Sequence, residues 1–137
     1  MMSRSGYSDD YDQWTAIRWR GQVTSAIRGK RGQRLLRDLI TAMDALPIKR
    51  LIAEELIDEA GEVCAIGAVG KLRGVDMTNL DPEDQDSVGN AFDVATALAA
   101  EIAYVNDEGA YAAETPEQRF TRVRAWAEQQ LIEWEKP

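Results

Sequence analysis

The sequence predicts a mainly α protein, a compact bundle of about five helices, and three observations carry that expectation. Leu35, Leu36, Leu39, Ile40, Met43 and Leu46 recur at helical spacing until Pro47 ends the pattern. Thr115, Pro116 and Gln118 supply the N-cap, N1 and N3 residues of a capped helix start. Alanine at positions 95, 97, 99, 100 and 103 gives the stretch that runs to Val105 a high helix propensity. Strand has room only near 51–64, as one small hairpin.

Taken in order, residues 1–13 are expected to form a flexible N-terminal tail and residues 14–137 a single helical domain. The alternative for the tail is an arm docked through Tyr7, Tyr11 and Trp14. A first helix is expected from Trp14, with Trp14, Ile17, Gly21, Ala26 and Ile27 on one face and Arg18, Arg20 and Arg28 around the other. Gly29-Lys30-Arg31-Gly32 predicts a turn, and Gln33 to Leu46 the next helix. Leu51-Ile52 and Leu56-Ile57, followed by the turn signal Asp58-Glu59-Ala60-Gly61, predict a hairpin of 51–57 against 62–64; the competing expectation is a helix over 48–59. Asp81 at N-cap and Pro82 at N1 predict a helix start that fades near Gly89-Asn90, and a further helix runs from about Asp93 to Asn106-Asp107-Glu108-Gly109. The last helix carries Phe120, Val123, Ala127, Leu131 and Trp134 in a stripe.

The stretch Glu62 to Gly74 is unlike the others. Gly67, Gly70 and Gly74 share one helical face, and Ala65 and Ala68 thin it further. Each interior glycine costs up to ~1 kcal/mol of helix stability relative to alanine, so close packing by neighbours must compensate. The sole cysteine, Cys64, has no histidine to activate it and sits between Val63 and Ile66, which predicts a packed thiol. Cys64, Gly67, Gly70 and Gly74 are therefore expected to be structural.

A chain of 137 residues is one domain by length. Its lack of histidine removes the commonest general base and transition-metal ligand, and with one cysteine it also removes Ser-His and Cys-His nucleophile pairs within the chain. No cofactor or metal is expected. No apolar run reaches the ~18–20 residues of a membrane span, and the N-terminus has no apolar signal region, so the expected location is the cytoplasm.

Charge is unevenly placed. Residues 1–53 carry ten Lys/Arg against five acids, and residues 54–137 six against nineteen, within a total of −8. Arg28, Lys30, Arg31, Arg34 and Arg37 form a basic cluster at the start of a helix, where cations oppose the positive helix end and hint at an anionic partner. They are candidates for phosphate or acidic-protein contact, with Trp14 and Trp19 available for stacking; the bland alternative is pairing with the acidic half. Asp81, Glu83, Asp84 and Asp86 are candidates for an acidic interaction face, including phosphate mimicry, against the alternative of a solvated and capping role. The two helices expected over 81–105 have helix-turn-helix spacing, but Ala95 to Glu101 offers no side chain for bases or phosphates, so packing is expected. Glu54, Glu55, Glu59 and Glu62 leave a carboxylate enzyme as a third class.

Glu62-Val-Cys-Ala-Ile-Gly-Ala, Asn106-Asp107-Glu108-Gly109 and Glu114-Thr115-Pro116-Glu117 occur in that order. On these motifs the chain resembles, over about residues 50–130, a group of small uncharacterised proteins of tailed phages and prophages. The resemblance implies a mobile-element accessory protein and carries no catalytic residue. The expected function is therefore macromolecular binding without catalysis, as an inhibitor or modulator of a host defence or nucleic-acid-handling protein in the host cytoplasm. A nucleic-acid-binding accessory protein using the basic N-terminal helices is the alternative. Self-association is also expected, through the slim glycine face or an exposed Trp126/Trp134 end, giving a homodimer.

Overall fold

The computed structural model describes residues 3–8, 12–110 and 113–132. Among them are six helices, α1 (Gln13–Arg28), α2 (Lys30–Ala45), α3 (Ala65–Arg73), α4 (Gln85–Phe92), α5 (Thr96–Glu108) and α6 (Pro116–Gln130), and no strand. The expected all-helical bundle is what the chain forms.

Two helices organise it. α2 turns Leu35, Leu36, Leu39 and Met43 inward, all fully buried, and packs against α1, α3 and α6. α5 is buried almost all round, from Ala97 through Ala103, and touches α1, α3, α4 and α6. Its alanines are what let so many helices approach one rod, because a small side chain keeps the interaxial distance short. The helix-turn-helix spacing is realised as α4 and α5 meeting at 105°. With α5 at the centre of the bundle, it has no face to lay in a groove. No single helix among the described residues is long and apolar enough to cross a membrane.

Between α2 and α3 the chain forms neither a hairpin nor a helix over 48–59. Ile57 and Val63 make one antiparallel bridge around the Asp58–Gly61 turn, where Gly61 has φ +83°. The pairing stops there because Glu54 adopts φ +70° and the Leu51 N–H donates to the Pro116 carbonyl of α6 instead. Leu51 and Leu56 are nonetheless buried, so the segment serves as a lid on the core.

Several expected boundaries move. Gly29-Lys30-Arg31-Gly32 is no four-residue turn: Gly29 alone separates α1 from α2, and Lys30–Gly32 are already helical. Gly32 permits this, since a Cβ there would lie 1.9 Å from the Ala26 carbonyl oxygen. α4 begins at Gln85, not after Asp81, and its N-cap is Asp84, whose side chain accepts from the Ser87 N–H at 3.2 Å. Asp81 makes a tight turn, accepting from the Glu83 N–H at 2.9 Å, and the Gln85 side chain donates to the Pro82 carbonyl that an earlier helix would have used. Asp93 starts no helix; it caps α4 in the left-handed region at φ 57°, and α5 begins three residues later.

Two further expectations fail in an informative way. Within the proposed tail, Arg4 and Ser5 are buried, and the Arg4 guanidinium grips Asp107 through Nε at 2.6 Å and Nη2 at 2.9 Å. Tyr7 stacks on Tyr104 at 4.9 Å, so residues 3–8 form a docked arm; Tyr11 lies outside the described residues. On α1 the buried side is Val23 with half-buried Trp19, Ala26 and Ile27, while Trp14 and Ile17 are 74% and 53% exposed. The arginine Arg20, placed outward by periodicity, instead reaches Glu101 on α5.

Candidate interaction surface

The basic cluster is brought together at the corner where α1 meets α2. Arg28 closes the last turn of α1, a favourable place for a cation. Lys30, Arg34 and Arg37 stand at i, i+4 and i+7 on one side of α2, the first two exposed and Arg37 half-buried. Arg31 is exposed and meets Asp93 at 3.2 Å. Among the described residues Arg28, Lys30 and Arg34 have no side-chain partner. That distinguishes them from Arg4, Arg73, Arg119, Arg122 and Arg124, each bound to a carboxylate.

Beside this corner lies an open cleft of about 530 Å³, lined by Ser25, Gly29, Lys30, Arg31, Ala95 and Thr96 among others. Two helices begin at it, α2 with Gly29 as N-cap and α5 with Ala95, and neither has a side-chain cap or an acid in its first turn. The other four helices are capped by Asp12, Cys64, Asp84 and Thr115. Backbone N–H groups at α2 and α5 thus retain hydrogen-bonding capacity toward an anion. Asp86 lies close by, accepting from the Thr96 hydroxyl at 2.6 Å, and together with Asp93 it tempers the positive field.

The acidic candidates are mostly engaged locally. Asp81 holds its turn, Asp84 caps α4 and Asp86 binds Thr96, while Glu83 points to solvent without a side-chain partner among the described residues. The Ser87 hydroxyl and N–H hold the Asp84 carboxyl below the usual carboxylate range. Of the other carboxylates considered, Glu62 is bound by Arg50 at 2.5 Å, and Glu54, Glu55 and Glu59 are exposed.

The expected structural set divides. Gly67 and Gly70 are buried and face neighbours, a Cβ at Gly67 reaching within 1.9 Å of the Leu56 carbonyl oxygen and one at Gly70 within 2.4 Å of the Met77 sulfur. Gly74 is not part of that face; it ends α3 in the left-handed conformation at φ +70°, which glycine adopts without strain. Because the glycine face is filled from within the chain, it is not a surface for a second copy. Cys64 is fully buried as the N-cap of α3, where its sulfur lies 3.4 Å from the Gly67 nitrogen and 3.5 Å from Arg4 Nη1.

The three ordered motifs meet in space around Asn106, which the sequence presented only as part of a helix stop. Its side-chain oxygen accepts from the Ala65 N–H at 3.0 Å, and its Nδ2 donates to the Ile52 carbonyl at 2.9 Å and to Asp107 at 2.8 Å. Its own carbonyl accepts from Arg119 and Arg122 of α6. Arg122 also clasps Glu114 through Nε at 3.0 Å and Nη2 at 2.7 Å. Asn106 thereby ties the starts of α3 and α6 to the end of α5.

The Arg122 hydrogen bonds hold the Glu114 carboxyl below its ordinary value near 4.5. A depressed folded value stabilises the fold above that ordinary value and loses the contribution as pH falls through the lower one. Glu114→Gln is therefore expected to melt lower than the native chain at pH 7, with the gap closing toward pH 3 in thermal melts at stepped pH.

A second buried polar group was also missed. Glu101, 6% exposed within the alanine-rich face of α5, accepts from the Tyr7 hydroxyl at 2.7 Å and from Arg20 at 2.5 and 3.1 Å. Burial, followed by the Glu101 contact, drives the Tyr7 phenol upward, against the opposing pull of Trp19. The signal available was one carboxylate interrupting a run of alanines; only the distant Arg20 and Tyr7 give it meaning. No protein-family model, curated protein or solved structure matches the chain.

Proposed function

We propose that the protein acts by binding another macromolecule, with the α1–α2 corner as its contact surface and an acidic surface of a host protein as the counterpart. The observation that supports this most is the set Arg28, Lys30 and Arg34, exposed and without carboxylate partners among the described residues, in a chain whose other arginines are largely tied down. Unsatisfied cations grouped on a rigid helix start steer an acidic partner and fix its register. The resemblance of residues 50–130 to phage and prophage proteins supports an accessory role in a host cell, as a modulator or inhibitor of a defence or nucleic-acid-handling protein.

Arg31→Glu/Arg34→Glu reverses two charges on an exposed side of α2 and should leave the fold intact. Captures from bacterial lysate by the native chain and by this variant, with and without nuclease, test the proposal. A nuclease-resistant protein partner lost at least tenfold by the variant is the expected result. A partner retained by the variant would remove this surface from the account.

Nucleic acid is the second reading, favoured by the two uncapped helix starts that open on one cleft beside Lys30 and Arg31. It requires a gel shift that weakens steeply with salt. Absence of any shift at low salt sinks it. The net charge of −8 and the neighbouring Asp86 and Asp93 repel a continuous phosphate backbone more than a protein surface that presents a few carboxylates to the corner, which is why the acidic-protein counterpart ranks first.

A further inference from the structure

The outer face of α1 has no counterpart among the described residues. Trp14, Ile17, Gly21, Ser25 and Arg28 follow one another at three- and four-residue steps along it, opposite the buried Val23. All five are exposed, Trp14 by 74% and Ile17 by 53%, and nothing lies within 4 Å of a Cβ built on Gly21. A mid-helix glycine weakens a helix by up to ~1 kcal/mol relative to alanine, and no contact among the described residues requires this one. It bares backbone at the middle of the stripe, where another helix can approach closely.

We propose that this face pairs with α1 of a second copy, antiparallel, about a two-fold axis at Gly21. The stripe is complementary to itself only in that arrangement. Trp14 and Arg28 are each seven residues from Gly21, so the indole of each copy meets the guanidinium of the other, a cation–π pair at both ends. Ile17 and Ser25 are each four residues away, and so the isoleucine covers a small residue with room beside it. The two helix dipoles are opposed as well. A parallel pair would instead set Arg18 against Arg18 and Arg28 against Arg28, with dipoles aligned. The axis is isologous, so the contact closes at two copies and does not propagate.

The size of the face sets the strength. α1 has 16 residues and is about 24 Å long; a stripe about 10 Å wide along it covers about 250 Å² per copy. That is well below the ~800 Å² per partner of a stable complex, so the pair forms weakly and responds to concentration. The pairing shares Arg28 with the partner-binding surface proposed above, but the two are tested apart: Gly21 lies on the outer side of α1 away from the basic corner, whereas the charge-reversal test of that function alters Arg31 and Arg34 on α2.

Sedimentation equilibrium of the full chain is expected to give a weight-average mass that rises from one chain toward two between roughly 10 µM and 1 mM. Gly21→Glu puts two carboxylates at the axis; it should stay monomeric throughout while melting no lower than the native chain, because the position is open and glutamate is the better helix former. Gly21→Cys should give a covalent dimer on mild oxidation that reduction reverses, with native Cys64 buried and inert as the control background. A native chain that remains monomeric at 1 mM overturns the pairing. So does a dimer that persists in Gly21→Glu, or a Gly21→Cys chain that fails to cross-link under conditions where native dimers are present.

Discussion

Replacing Gly67 by alanine is expected to destabilise the protein by at least ~3 kcal/mol, lowering its melting temperature by roughly 10 °C or more. The added Cβ would lie 1.9 Å from the Leu56 carbonyl oxygen and 2.9 Å from its carbon. That oxygen cannot swing aside, because it accepts the Cys64 N–H at 3.2 Å and Leu56 is itself buried. Relief requires moving the whole 51–64 segment off α3. Gly70→Ala supplies the contrast: its Cβ meets only the flexible thioether of half-buried Met77, and the gain in helix propensity partly offsets the displacement. We expect it within about 1 kcal/mol of native, although leucine at either position should disrupt packing. Urea denaturation followed by circular dichroism measures both; equal small effects would show that α3 and the 51–64 segment are not rigidly joined.

Asn106→Leu should be comparably severe. Leucine keeps the branched shape with somewhat more bulk and leaves the Ala65 N–H and the Ile52 carbonyl without their partner, at about 1–3 kcal/mol for each buried group. Asn106→Asp keeps the acceptor for Ala65 and loses the donor to Ile52, and it sets a carboxylate beside Asp107. Burial and the neighbouring charge raise the folded-state pKa of such a group above its unfolded value. Its penalty is therefore greatest at neutral pH and eases as acid protonates it. Thermal melts of the three chains at pH 7 and pH 4 test the pair: Asn106→Asp should recover relative to Asn106→Leu at the lower pH. A native-like melt for Asn106→Leu would place the link between α3, α5 and α6 elsewhere.

These two positions show what was legible in the sequence. Gly67 was readable as a close-approach residue because its spacing from Gly70 and its small neighbours announce a slim face, yet only the fold says that a carbonyl fills one site and a thioether the other. The capping box at Thr115 and Gln118 and the leucine ladder of α2 are local patterns, and both formed as written. Asn106, Glu101 and Arg4 were not legible, because their partners lie 41 to 103 residues away and no spacing rule reaches that far. The failure at α1 has a different cause. Its apolar residues do not share one face: Ala26 and Ile27, grouped by periodicity with Trp14 and Ile17, lie instead with Val23 and Trp19 on the side the fold buries, and Trp14 and Ile17 are left exposed. The basic cluster was legible as a group in sequence, and the corner at Gly29 gathers it in space, but the uncapped start of α5 beside it is visible only in the assembled bundle.

The long reach of the arm and of Gln33 also bears on how the protein is made. Arg4 joins Asp107 across 103 residues, and buried Gln33 bonds the Gln130 carbonyl and the Ile132 N–H near the other end. A helical bundle is ordinarily a fast folder because its contacts are local; here the ties that fix the N-terminal arm and α2 wait for α5 and α6. At ~5–20 residues per second, α2 would spend several seconds on the ribosome with its leucine face uncovered before α6 emerges. The stage of synthesis most open to chaperones and proteases is therefore the half-made chain, and variants that slow elongation after α2 should change yield more than they change the stability of the finished protein.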